Sequence, residues 1–307
     1  MRLSIVTTTY QSSSTISQFI QRILDAAQKI TLDYELIIVD DGSTDDSVAK
    51  VEEVLSKSRN IKLIKLSRNF GHHQAILSGL ENAVGEVIFL IDSDLEEAPE
   101  LLGVFWNELQ ASNSDVIFGV NKAATKNWHI RLMSKLFWRL FNRYTRIQIP
   151  EGICTVRLMN RNYVQSLLSH KEVNVFLAGL WEVTGFKQTP FTIGKLYKGS
   201  TTYGYKKKLD LALTSIVSFS GRPLRIIALF GLVLVLSAFS ILTLLILRYF
   251  LVGESIQGWL SLVGLIVMFG GIQVISIGIV AIYVATILEE VKSRPRVIIS
   301  SISLSDE

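Results

Sequence analysis

Two patterns of hydrophobic and polar positions divide this chain, and they meet near Ile226. Before that point, short apolar runs rich in β-branched residues alternate with segments of helical spacing. Leu3–Thr9 reads as a strand and Ile16–Ala27 as a helix with one apolar face. Glu35–Val39 is a second strand, ended by the turn-forming Asp40, Asp41 and Gly42. Ile61–Leu66, Glu86–Ile91 and Asp115–Gly119 read as further strands, with helices at His72–Val84 and Pro99–Gln110. Alternating strands and helices predict an α/β domain with a mostly parallel sheet and right-handed crossovers. Ligands of such sheets bind beyond the carboxyl ends of the strands. Two acidic clusters, Asp40–Asp41 and Asp92–Asp94, fall at such ends.

Beyond Ile226 the polar positions nearly vanish. Ile226–Leu247 contains no charged residue, and at about 1.5 Å per residue it is about 33 Å long, enough for a hydrocarbon core of about 30 Å. Trp259 opens a second run to Ile287 whose most polar side chain is Gln273. Core helices of this length would carry a polar face, so the pattern predicts two C-terminal transmembrane helices. Lys206, Lys207, Lys208, Arg222 and Arg225 precede them, Lys292, Arg294 and Arg296 follow, and the connection is poor in positive charge. That asymmetry places both chain ends in the cytoplasm. The expected organisation is a cytoplasmic domain over 1–205, a basic juxtamembrane segment over 206–225, the two spans over 226–288 and a cytoplasmic tail over 289–307. Within the first part, Ile130–Arg146 sets an apolar stripe (Met133, Leu136, Phe137, Leu140, Phe141, Tyr144) against Arg131, Lys135, Arg139, Arg143 and Arg146. Such an amphipathic helix fits either the headgroup layer or the surface of the domain core.

Composition adds exclusions. A net charge of +4 and a pI near 9.0 are too weak to argue for nucleic acid. One cysteine, Cys154, rules out an intramolecular disulfide and fits a reducing compartment. Leu3–Val6 is too short an apolar run for a cleavable signal peptide. No GxGxxG follows a strand and no GxxxxGK[ST] occurs. His72, His73, His129 and His170 lack zinc-site spacing. His72 and His73 follow Gly71 at a predicted helix start, where a phosphate contact is open to them.

The acidic clusters offer chemistry. Asp92-Ser93-Asp94 can place carboxylate oxygens around Mg²⁺ or Mn²⁺ while leaving positions for phosphate and water; the same tripeptide can also merely cap a helix or turn a loop. Asp40 and Asp41 can accept hydrogen bonds from a ribose or base, or form an Asx turn with Gly42.

Taken in order, Tyr10, Val39-Asp40-Asp41-Gly42-Ser43, Arg68-Asn69-Phe70-Gly71, Asp92-Ser93-Asp94 and Ala98-Pro99-Glu100 resemble glycosyltransferase family 2. Arg157-Leu158-Met159-Asn160-Arg161, Gly179-Leu180-Trp181, Ser218-Phe219-Ser220, Pro223-Leu224-Arg225 and the two spans are similar to its polyprenyl-phosphate branch. The resemblance implies a GT-A-type nucleotide-sugar-binding domain and a metal at Asp94 helped by Asp92. It also implies nucleotide contacts from Thr8, Tyr10, Asp40, Asp41, Arg68, Asp92 and Ser93, and catalytic roles for Asp94, Glu151 and Arg157. The implied partners are a nucleoside-diphosphate sugar, with UDP favoured over GDP-mannose, a polyprenyl phosphate, the membrane and a second copy of the chain. The chain departs from the family at Thr8 and Ser12, which stand where the opening motif has proline and glutamate. It departs also at Thr155, where the branch carries an acid; Glu151 is the upstream substitute. Leu196 and Thr202 stand where phosphate-binding cations are expected, which points to Lys198, Lys206, Lys207 and Lys208 instead. A processive polysaccharide synthase would carry Gln-x-x-Arg-Trp, and Trp181 here follows Ala-Gly-Leu. A non-enzymatic membrane scaffold is opposed by the intact Asp92 and Asp94.

Overall fold

The computed structural model describes residues 2–58, 60–121, 149–150, 152–173, 175–194, 222–252 and 258–305. The expected amphipathic helix over 130–146, Glu151, Lys198 and Lys206–Lys208 lie outside the described residues.

The first half alternates strand and helix: β1 (Leu3–Thr9), α1 (Ile16–Gln28), β2 (Tyr34–Asp40), α2 (Ser47–Leu55), β3 (Ile61–Leu66), α3 (His72–Glu81), β4 (Val87–Leu90), α4 (Leu101–Ala111) and β5 (Val116–Asn121). Then follow β6 (Ile153–Asn160), α5 (Arg161–Ser169), α6 (Leu177–Val183), β7 (Gln188–Ile193), the long helices α7 (Arg222–Val252) and α8 (Trp259–Val291), and β8 (Ile299–Leu304). The strands form one eight-stranded sheet in the order β7-β5-β6-β4-β1-β2-β3-β8. The β3-β2-β1-β4 block is parallel, and so is β5-β7, whereas β6 runs antiparallel to both β4 and β5. The sheet is thus mostly parallel, as the alternation predicts. Its antiparallel members, β6 and β8, are strands that the alternation did not reveal.

Burial explains the apolar runs. β1 and β2 are buried along their whole lengths, which is why they show no alternation of apolar and polar faces. α1 supplies Ile16, Phe19, Ile20 and Ile23, one helical face, to the core beside Leu36, Phe89 and Phe105. Each such side chain contributes about 1.5–3 kcal/mol on full burial. Gly79 lets α3 lie close on β1 and β2, since a Cβ there would stand 2.5 Å from Val6 Cγ1 and 3.1 Å from Val39 Cγ2.

At the far edge the chain does something its sequence pattern concealed. After α8 it returns to the sheet as β8, antiparallel to β3 with Ile64 opposite Ile302. The chain separates into two compact units, one built on the sheet and including the segment from Arg294 onward, the other built on α7 and α8. The expected tail is therefore a strand of the first unit.

Helices form at both expected C-terminal spans. Met268–Val291 of α8 is long and apolar enough to cross a membrane, with mean hydropathy 2.2 and none of it buried. In α7 the apolar stretch among the described residues, Ile227–Ile241, is shorter. Among the described residues one span, rather than the expected two, thus meets the length and hydropathy requirement. Both helices turn large apolar side chains outward, including Leu229, Phe239, Leu251, Val274 and Val291, as helices with no polar stripe do in lipid.

Candidate active site

Hydrogen bonds lace the carboxyl ends of β1, β2 and β4 together. Thr9 lies opposite Asp40 in the β1–β2 register, and the Asp41 N–H donates to the Thr9 carbonyl at 3.0 Å. The Ile91 N–H donates to Val6 at 3.1 Å, and the Ser93 hydroxyl donates to the Thr8 carbonyl at 2.7 Å. Thr8, Tyr10, Asp40, Asp41, Asp92, Ser93 and Asp94 are consequently gathered at one edge of the sheet. Tyr10 is half-exposed there, whereas Ser93 is buried and its hydroxyl committed.

The two acids at the end of β2 are partly spent on the main chain. Asp40 accepts the Ser43 N–H at 3.1 Å, the Asx turn that its neighbours allow. Asp41 accepts the N–H groups of Phe70 and Gly71 at 2.7 and 3.0 Å. Burial pushes the Asp41 carboxyl above its ordinary value, with those two amides pulling the other way. Gly42 makes the latch possible: its φ is +75° and an added Cβ would stand 2.6 Å from the Arg68 carbonyl carbon. Arg68 is exposed on the latched loop, its guanidinium 4.6 Å from the Phe70 ring centroid.

The Asp92–Asp94 loop is shaped differently. Asp94 accepts the Glu96 N–H at 2.9 Å, and Leu95 between them adopts φ +61°, a left-handed conformation costing a non-glycine residue about 1–3 kcal/mol. Asp92 Oδ1 is buried and accepts no hydrogen bond among the described residues. Its neighbour is the His72 ring, Nε2 standing 3.4 Å away, which leaves Oδ2 as the carboxylate oxygen available to a cation. No group of three or more His, Cys, Asp or Glu side chains suited to a metal occurs among the described residues. A two-carboxylate set still fits Mg²⁺ or Mn²⁺, which take phosphate oxygens and water for the rest of their shell.

His72, at the start of α3, was open to a phosphate contact on sequence grounds. The structure turns it instead between Thr8 and Asp92, with Nδ1 3.1 Å from Thr8 Oγ1 and Nε2 3.4 Å from Asp92 Oδ1. His73 faces the other way, Nδ1 donating to Val175 at 3.1 Å, and burial lowers its pKa.

Arg157 stands at the carboxyl end of β4, on the neighbouring strand, but is buried rather than open to solvent. It lies on β6 opposite Leu90 and Phe118 and is fully buried, its guanidinium 3.0 Å from the Trp181 ring centroid. Its Nε donates to Thr155 at 3.2 Å and its Nη2 to Cys154 at 3.4 Å. Burial pushes its pKa down to about 10, opposed by Tyr163, Glu182 and Glu97 nearby. Glu182 and Tyr163 are themselves pushed up by burial. Sequence reading missed the acids of this cluster, Glu97 and Glu182, because no local spacing links positions 97, 157, 163 and 182. It missed the His72–Asp92 contact for the same reason.

Comparison with known proteins identifies the family. The family model for Glycosyl transferase family 2 matches residues 4–168. A chain from Mycobacterium tuberculosis (strain CDC 1551 / Oshkosh), assigned to the glycosyltransferases, is 40% identical over 306 residues, covering 100% of this chain and 90% of its own. The prophage bactoprenol glucosyl transferase homolog of Escherichia coli (strain K12) is 28% identical, covering 98% and 99%. The undecaprenyl-phosphate 4-deoxy-4-formamido-L-arabinose transferase of Pectobacterium carotovorum subsp. carotovorum (strain PC1) is 30% identical, covering 96% and 91%. With its acidic strand ends matched inside that family model and its similarity extending over nearly the whole length of these relatives, the chain belongs to glycosyl transferase family 2.

Proposed function

We propose that this glycosyltransferase moves a single sugar from a nucleoside-diphosphate sugar, a UDP-sugar by preference, onto a polyprenyl phosphate at the cytoplasmic face of a membrane. The observation that carries the reading is the gathering of Asp92 and Asp94 with Asp40, Asp41 and Tyr10 at one sheet edge. The acceptor class is supported by the relatives named for bactoprenol and undecaprenyl phosphate, which align through α7 and α8 as well as the sheet domain. In this reading the sheet domain is of the GT-A type. Tyr10 offers an aromatic face to the base, Thr8, Asp40, Asp41 and Ser93 line the nucleoside, and exposed Arg68 faces the diphosphate. Asp94 and Asp92 would hold Mg²⁺ or Mn²⁺, which supplies charge neutralisation for the leaving nucleoside diphosphate.

The acceptor needs little activation. A phosphate monoester has a second pKa of about 6, so its oxygens are already anionic at neutral pH, and positioning matters more than deprotonation. Glu151 is assigned to that positioning, and Lys198 with Lys206, Lys207 and Lys208 to neutralising the phosphates. Arg157, buried on β6 beside the end of β4, acts as a positioning residue rather than as a group that touches substrate. Direct attack by the phosphate oxygen makes the transfer a single inverting displacement, by analogy with other glycosyl transfers.

Connectivity supports two membrane crossings. Residues before α7 and residues after α8 belong to one sheet, so the chain between them must cross a bilayer an even number of times. If Met268–Val291 spans, α7 spans as well. The test incubates the detergent-solubilised full chain with undecaprenyl phosphate and a panel of nucleotide sugars. Mass spectrometry of the lipid should show one added sugar, dependent on divalent cation and lost in Asp94→Ala. No glycolipid from any donor would overturn the acceptor assignment.

A further inference from the structure

The four-atom chain Thr8 Oγ1–His72 Nδ1 and His72 Nε2–Asp92 Oδ1 joins three segments far apart in sequence: the end of β1, the start of α3 and the loop after β4. A carboxylate only accepts hydrogen bonds, so a neutral ring serving Asp92 carries its proton on Nε2. Nδ1 is then the acceptor, and the Thr8 hydroxyl donates to it across 3.1 Å. At 3.4 Å the Nε2–H is longer than a full hydrogen bond and acts on Asp92 as a directed dipole. The contact is made to Oδ1, the buried oxygen, while the Asp92 side chain keeps 22% of its surface exposed. With Oδ1 buried against His72, Oδ2 is the oxygen left for another partner.

We infer that His72 is the positioning residue for Asp92: Thr8 fixes the imidazole, the imidazole steadies Oδ1, and Oδ2 is thereby presented to a divalent cation. The inference rests on the metal reading of Asp92 and Asp94 and assigns that site a supporting shell. Ligating carboxylates are commonly oriented in this way by a second group that never touches the ion. The main chain of Thr8 contributes independently, since its carbonyl accepts the Ser93 hydroxyl. One residue thus holds the Asp92 loop by two routes, and the side-chain route needs a hydroxyl at position 8.

Mn²⁺ binding to the detergent-solubilised full chain, followed by electron paramagnetic resonance with and without UDP, tests the assignment apart from turnover. His72→Ala should weaken Mn²⁺ binding about tenfold or more, the usual loss for a group that orients a ligand. His72→Gln, whose side-chain amide can reach Asp92 with an N–H, should recover most of it. Thr8→Val should show a smaller loss and add nothing in the His72→Ala background, because both changes break the same chain. Thermal stability of the Gln variant should match the parent, which separates this role from a purely structural one. Full-strength Mn²⁺ binding in His72→Ala, alongside weak binding in Asp92→Ala, would overturn the role of His72 and leave the metal reading standing. Full-strength binding in Asp92→Ala as well would remove the metal reading and this inference with it. Additive losses from Thr8→Val and His72→Ala would overturn the link through Thr8.

Discussion

Gly42 shows how much one residue at the site edge decides. Its positive φ and its contact with the Arg68–Asn69 main chain leave no room for a side chain, and on that contact depends the latch from Asp41 to the Phe70 and Gly71 amides. Gly42→Ala meets both obstacles, the left-handed conformation and a clash with main-chain atoms that cannot turn aside. The variant should lose about 1–3 kcal/mol of stability, and its KM for the sugar donor should rise more than its kcat falls, because the displaced loop carries Arg68. Chemical denaturation beside steady-state kinetics checks this; an unchanged KM would mean that the loop does not face the donor. At this scale the sequence was legible in part. The acidic pairs stood out at strand ends, and the Asx-turn reading of Asp40 was already open. Asp41's commitment to amides thirty residues away was not visible, since a long-range hydrogen bond leaves no local spacing.

At the scale of elements, β8 alters the division of the chain. It covers the outer edge of β3, with Ser67 N–H donating to Ile298 and Ser305 N–H to Ile61, at 2.9 and 3.0 Å. Just before it, Arg296 donates to the carbonyls of His170 and Glu172 and lies 3.8 Å from Glu81. A residue counted in sequence as part of the positive flank of a membrane span is therefore also a clamp within the sheet domain. Nearby, the carbonyls of Val173 and Val175 accept from Gln74 and His73 of α3. Removing β8 strands a row of main-chain groups on β3, each hydrogen bond having contributed about 0.5–1.5 kcal/mol. Truncation after Val297 should lower Tm by about 5–10 °C, since each kcal/mol shifts a domain of this size by about 2–4 °C, and should promote aggregation through the bared edge. Scanning calorimetry and light scattering measure both; a Tm within 1 °C of the full chain would show β8 to be a dispensable appendage. The six-residue strand escaped sequence reading because Ile299–Leu304 alternates weakly and follows a long helix, so it reads as tail.

The whole molecule poses the question of sidedness. Basic residues flank both long helices, and the connection between them is poor in positive charge, which favours a cytoplasmic sheet domain. The return of the chain to the sheet gives an independent reason for an even number of crossings. The native Cys154 is buried, so single introduced cysteines can report the arrangement over a low background. Cysteines at Ser56 and Ser293, both exposed, should react with a membrane-impermeant thiol reagent only after permeabilisation, whereas one at Ser255 should react in intact cells. Labelling at Ser56 in intact cells would place the catalytic domain outside. Labelling at Ser293 but not at Ser56 would contradict a β8 that belongs to the same sheet as β1.

Much of this protein is decided by its sequence alone. Short runs rich in β-branched residues, alternating with helices, specify the parallel block β3-β2-β1-β4, because strands covered on both faces bury most of their positions. Long uncharged segments specify two C-terminal helices with apolar surfaces. The order of its motifs resembles glycosyltransferase family 2, and the family model over residues 4–168 shows that membership. Tertiary structure alone decided which partners the site residues acquired: Asp41 a loop, Arg157 a buried stack on Trp181, Asp92 the imidazole of His72. It alone also returned the final strand to the sheet. The physical reason is the same in each case. Hydrophobic periodicity is local and repeats along the chain, whereas a hydrogen bond or a strand pairing between distant segments is fixed only when the core has brought them together.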